Sequence, residues 1–215
     1  MVNKIINIIN EKYPLTALDV KEFAKVKAKG MTFTIKAYNA QGLGHISIMS
    51  AKGFFGLMKM DTIIINPKDI DLPLYSYDRI YAMNNDILIT ELYNTLSEKL
   101  DLSILDNTIS KYSNLQDRDP GKHWYDDIKL KQSISKKSKR KDSTSFDNLT
   151  IEYLNNYLSL PVNKTNDLDK KVLLTKNYVN GLLENGGPST DVFLKKLGKE
   201  KTELLFNNIL FGITK

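Results

Sequence analysis

The 215-residue sequence contains no cysteine, only two histidines and no run of about 18 apolar residues. Without cysteine the chain cannot form a disulfide, bind an iron–sulfur cluster through thiolates or use a thiol nucleophile. Without a long apolar run or a small-residue cleavage site near the N-terminus, we expect a soluble, cytoplasmic protein with no membrane association. Any redox chemistry would need electrons from outside the chain.

The usual cofactor and nucleophile motifs are also missing. Gly42-Leu43-Gly44 lacks the third glycine and the following helix of a dinucleotide fold, and Gly53-Phe54-Phe55-Gly56 lacks the lysine and hydroxyl of a phosphate loop. There is no Gly-x-Ser-x-Gly elbow. His45 and His123 have no metal-ligand partner at helical or hairpin spacing, so we predict no metal site and no tightly bound cofactor.

Composition indicates one globular domain over residues 1–215, with 41% hydrophobic and 26% charged residues. The formal net charge of +6 favours acidic partners. Between residues 129 and 141 the chain carries seven positive charges and no negative one. This run is either a solvated loop or a docking face for an acidic protein; nucleic acid is the weaker alternative because aromatic residues and a known binding motif are absent. The residues assigned to docking are Lys136, Lys137, Lys139, Arg140 and Lys141.

Hydrophobic periodicity predicts helices at both ends of the chain and strands between them. The period of 3.6 indicates helices over residues 2–12 and 18–29, before a switch to strict alternation at Met31. Short strands then follow one another to Tyr93, with one more expected within residues 124–135. Further helices are expected over residues 96–113, 146–158, 168–184 and 190–211. Because the loops between the strands are too short for crossover helices, the sheet should be antiparallel. We therefore predict an α+β fold, a three-layer α/β/α sandwich with a central antiparallel sheet flanked by helices.

Asp78 is the first candidate for chemistry. It follows Pro73 at the start of a predicted strand, where a carboxyl group on a half-buried sheet surface is costly unless something uses it. His45 shares a strand face with Ser47 and Met49 and is either a structural histidine or a proton donor. Glu91, in an apolar strand, is either an edge residue or a second acid.

Three stretches have the order and spacing of a known family. The first is Asn66-Pro67 followed by Asp71-Leu72-Pro73-Leu74-Tyr75-Ser76-Tyr77-Asp78, the second is Trp124 after a proline-containing loop, and the third runs from Tyr178 through Phe193-Leu194 and Leu197-Gly198 to Leu210-Phe211. Together they resemble the ferredoxin-dependent bilin reductases, to which red chlorophyll catabolite reductase is distantly related.

The resemblance implies a linear tetrapyrrole, a biliverdin-like bilin, held between the sheet and the C-terminal helices. It implies a bilin oxidoreductase that receives single electrons from ferredoxin or flavodoxin and protons from pocket side chains, with neither metal nor flavin. In this reading Asp78 is the proton donor and His45 matches an early strand histidine.

The resemblance also suggests which other residues meet the ligand. Two positions depart from the family pattern, because Ser47 stands where an acid is common and Thr62 where some members have a second histidine; Glu91 could replace the missing acid. The remaining side chains expected at the bilin are Tyr178, and Arg79 and Lys36 for its propionates.

A binding protein that stores or carries haem or a bilin without turning it over is the main alternative. A nucleic-acid-associated protein that uses the lysine run is the third. Replacing Asp78 with asparagine should stop a reductase and leave a carrier's affinity nearly intact.

Overall fold

The structure is a computed structural model that describes residues 1–139 and 143–213. It contains eight strands, β1 to β8, and six α-helices, α1 to α6, in those ranges. The strands are Leu15–Leu18, Lys25–Ala28, Met31–Ala40, Gly44–Gly53, Met58–Pro67, Leu74–Ala82, Asn85–Tyr93 and Ile134–Lys139. The helices are Val2–Lys12, Ser103–Lys111, Ser143–Leu158, Leu168–Asn185, Pro188–Leu197 and Lys199–Leu204, and a π-helical turn, Leu205–Leu210, follows α6.

All eight strands form one antiparallel sheet. The order is β1-β3-β4-β5-β6-β7-β8, and β2 also pairs with β3. Turns of two to four residues, which contain glycine or asparagine, join β3 to β4, β4 to β5 and β6 to β7. A six-residue loop, residues 68–73, joins β5 to β6. The predicted α+β fold with a central antiparallel sheet is confirmed.

Helices cover both faces of the sheet, and each face has its own apolar core. Ile5 and Ile9 of α1, Leu105 of α2 and Phe146 of α3 pack on one side, which we call the α1–α3 face. On the other side α4, α5 and the π-helical turn contribute apolar side chains, including Val179, Val192, Phe193, Leu205 and Phe206. We call this second side the α4–α6 face.

Three predicted elements differ from the structure. Residues 18–29 form the end of β1, a 3₁₀ turn at Lys21–Ala24 and β2 rather than a helix, because β2 pairs with β3. The strand expected within residues 124–135 begins only at Ile134, after a series of turns. The last predicted helix is divided at Gly198, whose φ of 79° ends α5. No helix in the described ranges is both long and apolar enough to cross a membrane.

Candidate functional site

Asp78 lies near the middle of β6 and points to the α4–α6 face. Its neighbours across the sheet are Thr62 on β5 and Ile89 on β7. The Thr62 hydroxyl donates a hydrogen bond of 2.5 Å to the Asp78 carboxylate. Thr62 is thus the direct hydrogen-bond partner of Asp78. From the sequence we expect Thr62 at the ligand.

Burial changes the acidity of Asp78. Removal from water raises its pKa from 3.8 to about 6; the Thr62 hydrogen bond opposes this shift, and the negative charge of Glu91 adds to it. A carboxyl group with a pKa near 6 is still partly protonated close to neutral pH. It can therefore donate a proton under conditions in which an ordinary aspartate cannot.

Glu91 is the second carboxylate on this face. It pairs with Ser76 on β6, two residues from Asp78, so that the two acids are diagonal neighbours. Its carboxylate accepts a hydrogen bond of 2.5 Å from the Tyr93 hydroxyl, and the Lys129 ammonium lies 3.8 Å away. The structure thus brings Glu91 and Asp78, both candidate acids, onto the same face of the sheet.

Aromatic side chains form a wall beside the two acids. The Tyr93 and Tyr178 rings lie 4.2 Å apart between their centres, and Tyr125 packs edge-on against both. Trp124 contacts Tyr125 and Tyr178, and Gly181 of α4 makes room for its indole, since a Cβ at that position would come within 2.3 Å of the ring. Tyr178 therefore belongs to this aromatic wall; its contact with a ligand stays a prediction.

The helices leave part of the α4–α6 face open beside Asp78. Four apolar side chains of β5, β6 and β7 lie there partly exposed: Met60, Ile80, Ile87 and Ile89. Lys137 of β8 pairs with Ile87 and is exposed at the edge of this area. We call these five residues the open face. It offers an apolar surface with carboxylates at its inner edge and an ammonium group at its outer edge.

His45 lies on the same face but at a different place. Across the sheet Asp78 aligns with Met49, which is four residues, or about 13 Å, further along β4 than His45. The His45 Nε2 is 2.8 Å from the Ile209 carbonyl oxygen. Burial lowers the pKa of His45 to about 4, the bond to Ile209 opposes the shift and the charge of Lys68 adds to it. The ring is therefore neutral at pH 7 and donates to the carbonyl from Nε2.

Together with three other side chains, His45 holds the C-terminal segment on the sheet. The Ser47 hydroxyl donates to the Leu210 carbonyl at 2.7 Å, the Asn66 amide donates to the Phe211 carbonyl at 2.6 Å, and the Lys68 ammonium donates to the Gly212 carbonyl. In this way each of four consecutive carbonyl groups at the end of the π-helical turn accepts a hydrogen bond. The last carbonyls of a helix have no partner within the helix, so side chains must provide these donors. The structure therefore gives His45 and Ser47 a structural role, away from Asp78.

A substitution at Gly212 tests the structural role of His45. The φ of Gly212 is 57°, and a Cβ there would lie 2.3 Å from the His45 ring. We expect Gly212→Ala to lower the free energy of unfolding by about 2–4 kcal/mol, through the left-handed backbone and the clash. Urea denaturation would measure this loss. Gly56→Ala, with a φ of 85° and open space around the new methyl, is the control for backbone conformation alone. Equal losses in the two variants would contradict the close packing of His45 on Gly212.

Two residues assigned to the bilin propionates lie on the wrong side of the sheet. Arg79 follows Asp78 directly, so its side chain points to the α1–α3 face, where it is 1% exposed and bonded to Asp86. Lys36 pairs with Ile48, which also belongs to that core. There Lys36 lines a cavity of about 560 Å³ between α1 and the sheet. Neither side chain shares a face with Asp78.

The predicted docking residues also lie on different faces of the sheet, and only some of them are exposed. Lys136 is buried, and its ammonium donates to the Leu115 carbonyl and lies 2.7 Å from Asp117, so it is not available at the surface. Lys137 and Lys139 alternate with it and are exposed. Arg140 and Lys141 lie outside the described residues. Within residues 1–139 and 143–213 no cluster of three or more potential metal ligands occurs.

Comparison with solved structures adds a strong structural likeness. The fold is similar to that of phytochromobilin synthase from tomato, solved in complex with biliverdin, with a TM-score of 0.78 and 12% sequence identity. The similarity covers 99% of this chain and 82% of the synthase chain. No protein-family model matches the sequence, and no curated protein matches it. At 12% identity the likeness establishes the fold alone.

Sequence reasoning missed part of the aromatic wall and its lysine. Sequence periodicity predicts Tyr125 and Lys129 in a strand, but they lie in consecutive turns, where a backbone hydrogen bond from the Ile128 amide to the Tyr125 carbonyl closes one turn. The signal available was the composition of His123-Trp124-Tyr125-Asp126-Asp127, three aromatic rings followed by two acids after a Pro-Gly turn. Such a segment is typical of a functional loop rather than of a strand.

Proposed function

We propose that this chain binds a linear tetrapyrrole of the biliverdin kind on the open face and reduces it with electrons from ferredoxin or flavodoxin. The observation that carries the proposal is the position of Asp78. A carboxyl group whose pKa is raised to about 6 lies between an aromatic wall and an open apolar area. This arrangement occurs in a fold shared over 99% of the chain with a synthase that was solved with biliverdin.

The open face suits the ligand chemically. A bilin is a large, conjugated and mostly apolar molecule, and Ile80, Ile87 and Ile89 would contact its pyrrole rings, while Tyr93 and Trp124 would limit it laterally. Its propionate groups need cations at the rim. Lys137 and Lys139 supply them on the correct side of the sheet, in place of Arg79 and Lys36.

The proton chemistry rests on the two carboxylates. Reduction of one double bond takes two electrons and two protons, so two successive single-electron transfers from the donor must each be followed by a proton. Asp78 delivers one proton to the tetrapyrrole and is reprotonated from solvent through its partly exposed side. Glu91, its diagonal neighbour, is the candidate for the second proton.

The electron donor is expected to be acidic. The net charge of +6 and the exposed Lys137 and Lys139 favour association with a negatively charged protein. Because the two lysines border the open face, a donor bound there would lie close to the tetrapyrrole. Its docking should weaken as salt concentration rises.

Biliverdin binding tests the proposal directly. We expect a saturable red shift in an absorbance titration, followed by bleaching or a new product band after anaerobic addition of reduced ferredoxin. Ile80→Glu places a charge on the open face and should weaken binding by at least about tenfold, because an apolar contact is replaced by a carboxylate that must be desolvated. Thr34→Glu, exposed on the α1–α3 face, is the control.

The outcomes separate the alternatives. Tight binding with no spectral change on reduction would favour a carrier over a reductase. Equal weakening by Ile80→Glu and Thr34→Glu would place the ligand elsewhere. No binding of biliverdin or haem would reject the tetrapyrrole proposal.

A further inference from the structure

Four exposed apolar side chains are gathered at one end of the sheet. Phe54, Phe55 and Leu57 lie in the turn between β4 and β5, and Met83 lies in the turn between β6 and β7; their exposures are 54%, 109%, 60% and 74%. They are four of the five most exposed large apolar side chains in the described residues. We call these four residues the turn end. Such clustering on a surface marks an interaction site.

Strand register shows that the two turns are neighbours. The last paired positions at this end are Gly53 with Met58, Met58 with Ala82, and Ala82 with Asn85. The Met83 amide donates to the Leu57 carbonyl at 3.1 Å and joins one turn to the other. The four side chains therefore project from one continuous edge of the sheet.

The backbone at the turn end is in an unusual conformation. Phe54, Phe55 and Met83 have φ values of 51°, 55° and 53°, in the left-handed region that favours glycine. An aromatic residue in that region is unfavourable, and Phe55 is fully exposed, so it gains no burial in return. None of the four side chains of the turn end belongs to either apolar core or packs against it. An unfavourable conformation that serves no packing points to a function at the surface.

Lysines surround the turn end. Lys52 and Lys59 pair with each other beside Gly53 and Met58, Lys29 occupies the adjacent β2–β3 turn, and Lys139 ends β8; all four are exposed. The two nearest acidic side chains on the strands do not pair with these lysines. Asp61 accepts a hydrogen bond from Ser50. Asp86 is buried.

We propose that the turn end binds peripherally to an anionic lipid surface. In this arrangement Phe54, Phe55, Leu57 and Met83 enter the interface between headgroups and acyl chains, and the four lysines contact anionic headgroups. Exposed aromatic and aliphatic side chains combined with neighbouring lysines are what interfacial binding requires. A turn tip fits a deformable bilayer better than the flat complementary surface of a protein. The proposal does not depend on tetrapyrrole binding.

The absence of a long apolar run excludes a spanning helix in the sequence but says nothing about turns. The expectation of no membrane association rests on the absence of such a run and of a cleavage site near the N-terminus, and neither absence bears on a turn that binds at the surface. A surface-bound protein needs only a few apolar side chains and positive charge.

Vesicle sedimentation is the test. The full chain should bind phosphatidylcholine vesicles that contain phosphatidylserine, and should bind pure phosphatidylcholine vesicles much more weakly. Phe55→Gly should reduce the partition coefficient about tenfold, and replacing Lys52 and Lys59 by glutamine should reduce it about fivefold for each lysine removed. Binding of the parent chain should fall with added salt.

Two controls keep the result interpretable. Leu173→Ser removes an exposed apolar side chain far from the turn end, on α4, with an exposure of 56% that is close to those of Phe54 and Leu57, and should leave binding unchanged. Phe55→Gly should keep or raise the unfolding midpoint, because glycine suits a φ of 55°. Equal binding of Phe55→Gly and the parent chain, equal loss in Leu173→Ser, or no binding to anionic vesicles would overturn the proposal. Biliverdin affinity of Phe55→Gly, measured in solution, tells failure here apart from failure of the proposed reductase.

Discussion

Asp78→Asn is expected to lower the rate of tetrapyrrole reduction by at least about 100-fold while biliverdin affinity stays nearly constant. A general acid contributes about 10²–10⁴-fold to the rate of proton transfer, and asparagine cannot donate an equivalent proton. Asparagine has the same shape, and its amide oxygen can still accept the Thr62 hydrogen bond. Single-turnover reduction of bound biliverdin would measure the rate, and the titration above would measure affinity.

The pH dependence follows from the raised pKa. Asp78 is protonated below about pH 6 and loses its proton above it. Reduction by the parent protein should therefore decline as pH rises through about 6. The Asp78→Asn variant should show a low rate without this dependence.

The stability of the fold should also decline as pH rises, for the same reason. The pKa is raised in the folded state, so the folded protein binds more protons than the unfolded chain between about pH 4 and 6, and the free energy of unfolding falls as pH rises through this window. At pH 7 the ionised Asp78 carboxylate destabilises the fold. Asp78→Asn removes this charge and should raise the free energy of unfolding by about 2 kcal/mol, a value reduced from the full pKa shift because the side chain is partly exposed.

Asp61→Asn is the matched control. Asp61 lies on the neighbouring strand β5, opposite Arg79 in the strand register. It points to the other face of the sheet from Asp78 and accepts a hydrogen bond from Ser50. We expect it to leave both the reduction rate and its pH profile unchanged. A similar rate loss in both variants, or an unchanged rate in Asp78→Asn, would contradict the role of Asp78 as the proton donor.

Strand alternation explains why much of the sheet and part of the site could be predicted. Residues two apart on a strand share a face, so the proline-bounded segment fixed the direction of Asp78 relative to Ser76 and Ile80, and Glu91 relative to Ile87 and Ile89. The same rule shows why Arg79 was misplaced. As the direct neighbour of Asp78 it cannot share its face in a regular strand, and this was already visible in the sequence.

Other features depend on contacts that sequence periodicity does not contain. His45 bonds to Ile209, which lies 164 positions away, and only the folded chain shows that the ring holds the C-terminal segment. Residues 18–29 carry Val20, Phe23 and Val26 at intervals that fit a helix. Pairing with β3 buries Val26 as part of a strand instead, since tertiary contacts outweigh a weak helical preference.

The ion pair between Arg79 and Asp86 supports the second large expected effect. The Arg79 Nε and Nη2 donate to the two Asp86 carboxylate oxygens at 2.5 and 2.7 Å, and both side chains are almost fully buried. The guanidinium also lies over the Phe146 ring and donates to the Ser143 carbonyl, which attaches the start of α3 to the sheet. Asp86→Ala removes the buried partner of the guanidinium and leaves it only the half-exposed Asp147 carboxylate, 3.5 Å away. It should lower the free energy of unfolding by about 3–5 kcal/mol.

Replacing both partners should be far less damaging. In Arg79→Met/Asp86→Leu no unpaired charge remains, and we expect most of the lost free energy of unfolding to return in urea denaturation. Because Arg79 points to the α1–α3 face, this double variant should bind biliverdin with unchanged affinity. A stable double variant that no longer binds biliverdin would instead assign Arg79 to the ligand. A double variant as unstable as Asp86→Ala would show that the pair itself, rather than the avoidance of an unpaired charge, holds α3 on the sheet.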